Sequence, residues 1–108
     1  MPDTLLDMND HEIEAASTMF SLLGDPTRVR ILMLLCRGEL NVTRLCGVLG
    51  LPQPTVSHHL GLLRRGGMLT SRRDGKAIHY GLDPRLRALD GSELHIDGAA
   101  GINVRIMK

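Results

Sequence analysis

Large aromatic rings are almost absent: Phe20 and Tyr80 are the only two in 108 residues, and there is no tryptophan. The core therefore has to come from nineteen leucines together with Ile, Val, Met and Ala, a composition that favours helices. Cysteine is equally scarce, and Cys36 and Cys46 are too few for a disulfide framework. No stretch approaches the ~18 apolar residues needed to span a bilayer, which leaves a membrane role without support. No charged segment followed by an apolar one precedes a cleavage site, so a cytoplasmic location is expected. Net charge is only +1, which by itself points to no partner. So short a chain is expected to form one domain, because one core of this size buries roughly two-thirds of the unfolded surface while two smaller cores would each be marginal.

Charge is present but unevenly placed. Residues 1–14 hold five acidic groups and no Lys or Arg, whereas Arg64, Arg65, Arg72, Arg73 and Lys76 face a single acid, Asp74, over residues 64–76. A local positive stripe of that kind meets phosphate. Residues 1–9 read as a loose acidic arm ahead of a domain over 10–90, with a tail over 91–108. Asp10 is expected to cap a first helix whose inward side is Ile13, Ala16, Phe20 and Leu23, ended by Gly24. Asp25-Pro26 starts a second helix, carboxylate at the N-cap and proline at the first helical position, that runs to about Arg37. Gly38 ends it, and Asn41 caps a short third helix carrying Val42, Leu45, Val48 and Leu49 up to Gly50.

Residues Gly50 to Gln53 then separate the third helix from a fourth that closes at Gly66-Gly67. Two short helices joined by so tight a Gly-containing turn give a helix-turn-helix. Beyond it the period becomes alternating, with Leu69 and Ser71 on one strand, Ile78, Tyr80 and Leu82 on the next, and Asp74-Gly75 as the hairpin signal between them. A hairpin following a recognition helix makes a winged helix-turn-helix. The expected fold is thus mainly α with a β-hairpin wing, an α+β arrangement. Asp83-Pro84 is read as the start of one more short helix, to about Leu89. The tail alternates again around residues 97–101, with Leu94 and Ile96 before and Ile102, Val104 and Ile106 after, and a second hairpin is expected there.

The segments DPTRVRILMLL at 25–35, GEL at 38–40, LGLPQPTVSHHLGLLRRGG at 49–67 and RRDGKAIHYGL at 72–82 closely resemble the ArsR/SmtB family of bacterial winged helix-turn-helix repressors. The resemblance covers about residues 12–89. It implies a homodimer that binds double-stranded operator DNA and is released by a metal, metalloid or redox signal. Arsenic- and cadmium-type members carry cysteines after GEL, where this chain has Asn41-Val42-Thr43. Zinc- and nickel-type members place Asp, His and Glu ligands on a long last helix, where only His95 and Asp97 of the tail are similar. Persulfide-sensing members have a cysteine where Met33 stands. The family's thiol and last-helix metal sites are thus expected to be absent, and no cofactor is required for the fold.

At about 100° per residue, Gln53, Pro54, Ser57, His58, Gly61, Arg64 and Arg65 fall on one arc of the fourth helix, with Val56, Leu60 and Leu63 opposite or at its edge. Gln can bond adenine bidentately, Ser can donate or accept at a base edge, and His58 can donate to guanine or phosphate. Gln53, Ser57 and His58 also resemble the family's base-contacting positions. Thr55 suits a phosphate at the helix start. Arg72, Arg73 and Lys76 flank the wing tip, within reach of phosphates or a minor groove.

His59 points about 100° away from His58, toward the domain, so the two cannot share an ion. No pair among the five histidines has the i, i+4 spacing of a helical metal site. Only His11, Glu12, His95 and Asp97 could gather as metal ligands, and only if the tail meets the first helix. Cys36 and Cys46 read as small core residues ahead of a thiol switch. Ser57 lacks an orienting partner and an oxyanion hole, so an enzyme is not expected. The competing reading is a winged-helix module that binds protein through the same basic stripe, without sequence-specific DNA binding.

Overall fold

The computed structural model of the chain describes residues 9–98 and 101–107. Four helices come first: α1 (Asp10–Leu23), α2 (Pro26–Leu35), α3 (Val42–Leu49) and α4 (Gln53–Arg65), with the short strand β1 (Leu40–Asn41) leading into α3. Five strands follow: β2 (Leu69–Asp74), β3 (Ala77–Leu82), β4 (Leu86–Leu89), β5 (Glu93–Asp97) and β6 (Asn103–Met107). They form two antiparallel three-stranded sheets, ordered β1-β3-β2 and β4-β5-β6. The α+β winged helix-turn-helix expected from the sequence is present.

Local chemistry explains most helix ends. The Asp25 carboxylate accepts the N–H groups of Thr27 and Arg28 at 2.8 and 3.1 Å ahead of Pro26, and Asn41 accepts the N–H of Arg44 at 2.8 Å. The α2 helix stops at Leu35, with Cys36 as its C-cap, two residues before the expected Arg37. The start of α1 differs from expectation in the same small way. Asn9, not Asp10, is the N-cap, and it forms a capping box in which Asn9 Oδ1 accepts the Glu12 N–H while Glu12 Oε2 accepts the Asn9 N–H. The expected acidic arm otherwise lies outside the described residues.

The inward side of α1 also differs. Of the expected set Ala16 is buried and Leu23 packs against the core, whereas Ile13 and Phe20 are 39% and 54% exposed and Met19 and Leu22 are buried instead. The helix carries two apolar stripes of similar period, and close packing selects between them. Leu22 lies where a side chain on Gly66 would be, and Met19 where one on Gly98 would be, so the two glycines admit that stripe against the domain.

Ile31, Leu32, Leu45, Leu60 and Leu63 are essentially inaccessible, and so are Leu94 and Ile96 of β5. The second sheet therefore shares the helices' core, each such side chain contributing about 1.5–3 kcal/mol relative to exposure. The expected tail hairpin is the β5–β6 pair. The short helix expected over Asp83–Leu89 is instead a turn followed by β4. The N–H of Leu86 bonds the Asp83 carbonyl at 2.8 Å, Asp83 Oδ1 accepts the Arg85 N–H at 3.0 Å, and Arg85 reaches back to the Gly67 carbonyl. Leu86–Leu89 then pairs with Glu93–Ile96 across a turn in which Asp90 and Gly91 have φ of 60° and 69°. An Asp-Gly hairpin signal and a waiting partner strand outweigh the helix start at Asp83-Pro84.

Candidate nucleic-acid interface

The α3–α4 pair is joined by Gly50, Leu51 and Pro52, and Pro52 caps α4 without any side-chain hydrogen bond. In the first turn Pro54 has no N–H and the Thr55 and Val56 N–H groups bond the Pro52 carbonyl at 3.1 and 3.2 Å, which leaves the Gln53 N–H for an outside acceptor. On α4, Val56, Leu60 and Leu63 are buried, whereas Gln53, Pro54, Thr55, Ser57, His58, Arg64 and Arg65 are exposed. Among the described residues, none of these exposed polar side chains has a hydrogen-bond partner. Gly61 sits in the middle of this polar arc, covered by the Arg65 guanidinium, whose Nη1 is 3.2 Å from where a Cβ would stand.

The helix is held from behind. Arg28 on α2 donates through Nε to the Leu22 carbonyl at 2.8 Å and through Nη2 to the Ser21 carbonyl at 3.1 Å, while its Nη1 lies 3.3 Å from His59 Nδ1. Arginine can only donate, so the imidazole nitrogen accepts. His59 thereby ties α4 to the end of α1, whereas His58 stays exposed. The Arg28 N–H, then the Thr27 N–H and the Arg28 guanidinium, hold the Asp25 carboxyl below its ordinary value.

The wing turns at Gly75-Lys76, one residue later than the Asp74-Gly75 expected, because Asp74 pairs with Ala77. Gly75 supplies the positive φ of 64° that a two-residue hairpin needs there. Strand alternation separates the two wing arginines. Arg73 lies opposite Ile78 on the face shared with Ser71 and Tyr80; Arg72 lies opposite His79 on the other. Ile78 and Tyr80, with Gln53, Ser57, Thr43 and Lys76, line a groove of about 450 Å³ between the wing and the helix pair. Arg73 is thus on the recognition-helix side. Arg72 is instead bound to Glu39, Nε to Oε1 at 2.8 Å, with Asp74 at 3.9 Å.

Residues 25–71 match the family described as "Bacterial regulatory protein, arsR family". Over 71 residues the chain is 46% identical to the arsenical resistance operon repressor of Escherichia coli, which covers 65% of this chain and 61% of that protein. Over 78 residues it is 38% identical to an uncharacterized HTH-type transcriptional regulator of Methanocaldococcus jannaschii, covering 70% of this chain and 88% of the relative. The chain belongs to the arsR family of bacterial regulatory proteins. These relatives are named as transcriptional regulators or repressors. Among solved structures, HlyU from Vibrio cholerae matches with a TM-score of 0.65 at 30% identity, over 70% of this chain and 82% of that one. The transcriptional repressor BigR from Xylella fastidiosa matches at 0.59 and 33% identity, over 69% and 81%.

The four candidate metal residues of this arsR-family chain, His11, Glu12, His95 and Asp97, are not brought together. Among the described residues no three His, Cys, Asp or Glu side chains are grouped to hold an ion. His95 and Asp97 are instead both engaged by Arg87, at 3.2 and 3.5 Å, on the outer face of the second sheet, and Glu12 is engaged in its capping box beside His11. Both cysteines are free thiols, Cys36 buried and Cys46 partly so. Burial pushes the Cys36 thiol up, against the thiolate that a redox switch requires. Thr43 on α3 and Tyr80 on β3 join the groove beside Gln53 without having been singled out from the sequence. The alternating pattern that built the wing could have found Tyr80, whereas Thr43 has no signal apart from its tertiary position. No helix among the described residues is long and apolar enough to cross a membrane.

Proposed function

We propose that the chain is a sequence-specific DNA-binding transcriptional repressor that acts in the cytoplasm as a homodimer. In this reading α4 enters the major groove and the β2–β3 wing lies beside it on the phosphates. The observation that carries the reading is the unengaged polar arc of α4: Gln53, Ser57 and His58 are exposed and, among the described residues, without hydrogen-bond partners, on a helix whose opposite side is fully buried. Side chains in that state are available to base edges. The exposed Thr55 hydroxyl and the Gln53 N–H suit a phosphate, and Arg64, Arg65, Arg73 and Lys76 add positive charge around the arc.

The second apolar stripe of α1, with Ile13 and the half-exposed Phe20, supports dimerisation through that helix together with the tail sheet. Two-fold symmetry would then place the recognition helices about 34 Å apart, or a multiple of it, on an imperfect palindrome. The family resemblance extends the reading to release by a metal, metalloid or redox signal. The test is affinity for a palindromic operator fragment against a scrambled duplex of equal length, with light scattering on the free protein. Preference for the palindrome and a dimer are expected. Equal affinity for both duplexes would favour the protein-binding module, and a monomer would remove the dimer.

A further inference from the structure

An apolar groove of about 730 Å³ lies behind the helix-turn-helix, away from the polar arc of α4. It runs between α2, the end of α3 and the ends of the second sheet, with Met33, Val48, Leu51 and Met107 among its walls. Val48 and Met107 are 52% and 64% exposed. Arg30 on α2 and Arg37, just beyond that helix's C-cap, also line it. Among the described residues no Asp or Glu lines the groove, and neither arginine has an ion-pair partner. A volume in the range of small-molecule sites, apolar walls and unpaired cations together specify a ligand with an aliphatic body and an anionic head.

We propose that this groove is an effector site for a straight-chain aliphatic carboxylate, its chain against Met33, Val48, Leu51 and Met107 and its head on Arg30 or Arg37. Val48 belongs to α3 and Leu51 to the turn that leads into α4. A ligand seated there alters the packing that orients the recognition helix and so lowers operator affinity. This second step rests on the repressor reading; ligand binding does not.

Titration of the DNA-free protein with octanoate, decanoate and dodecanoate, below their micelle concentrations, tests the site alone. Affinity is expected to rise about fourfold for each methylene buried. The methyl esters of the same acids are expected to bind at least about tenfold more weakly, for want of the charge-assisted contact. The double variant R30Q/R37Q should lose the preference for acid over ester, and Val48→Glu should abolish binding, both with an unchanged circular dichroism spectrum. Absence of binding, affinity independent of chain length, or equal binding of acid and ester would overturn the proposal. Conversion of a dimer to a monomer by Val48→Glu would assign the groove to a second copy of the chain and overturn it too. Saturating dodecanoate is expected to weaken operator binding about tenfold. Binding of the acid with unchanged operator affinity would overturn the regulatory step only, whereas failure of the ligand-free protein to bind any operator would count against the repressor reading.

Discussion

Replacing Arg73 with alanine should weaken DNA binding through the salt-dependent part of the affinity, and replacing its neighbour Arg72 should not. The two differ because alternation along β2 puts Arg73 on the side of α4 and Arg72 on the opposite face, where Glu39 already holds its guanidinium at 2.8 Å. Each phosphate contact contributes about 0.9 to the slope of log affinity against log salt. Loss of one contact therefore shallows the slope by about 0.9, and the drop in affinity between 50 and 200 mM salt becomes about 3.5-fold smaller. Arg72 and Glu39 are both about half exposed, so breaking their pair costs stability little, about 0–1 kcal/mol at most. Fluorescence anisotropy of one operator fragment at several salt concentrations reads both variants. A slope reduced in R72A as much as in R73A would refute the division of the wing into a paired and a free arginine.

Arg28→Ala should cost about 1–3 kcal/mol in urea unfolding, since it strips the Leu22 carbonyl of a partly buried partner, and a double-mutant cycle with His59→Ala should show a favourable coupling between the two residues. Additive losses would mean that the 3.3 Å contact is incidental. Gly61→Ala should stabilise α4 by up to about 1 kcal/mol while weakening operator binding, because the added methyl stands in the middle of the polar arc; undiminished affinity would place the DNA elsewhere. Asp25 contributes stability that is fully present above its unfolded-state value, about 4. Its carboxyl titrates lower in the folded state, so that contribution is lost as pH falls through the folded value. Asp25→Ala should accordingly lower Tm at neutral pH, with the gap to the parent protein closing below about pH 4; a gap independent of pH would contradict the cap.

The helix-turn-helix was legible because its signals are local. Asp25 with Pro26, Asn41 and Gly50 each act within a few residues of the boundary they set, and the structure uses all of them. The same kind of signal was present and passed over at α1, where Asn9 and Glu12 spell the capping box. What could not be read locally was the choice between two equivalent stripes on α1, which depends on Gly66 and Gly98, far along the chain. Likewise, Asp83-Pro84 is a sound helix start in isolation, and only pairing with β5 turns the following residues into a strand. The polar arc of α4 follows directly from helical period, whereas the Glu39–Arg72 pair joins residues 33 apart in sequence and has no local signature.

Base reading by the exposed arc of α4 is measured most directly by a competition assay on an operator and its single-base-pair variants, run with the parent protein, Gln53→Ala and His58→Ala. The parent protein should discriminate by about 1–3 kcal/mol at each contacted pair, and each variant should lose that discrimination at one position with the salt slope unchanged. Identical discrimination at every position in all three proteins would contradict it.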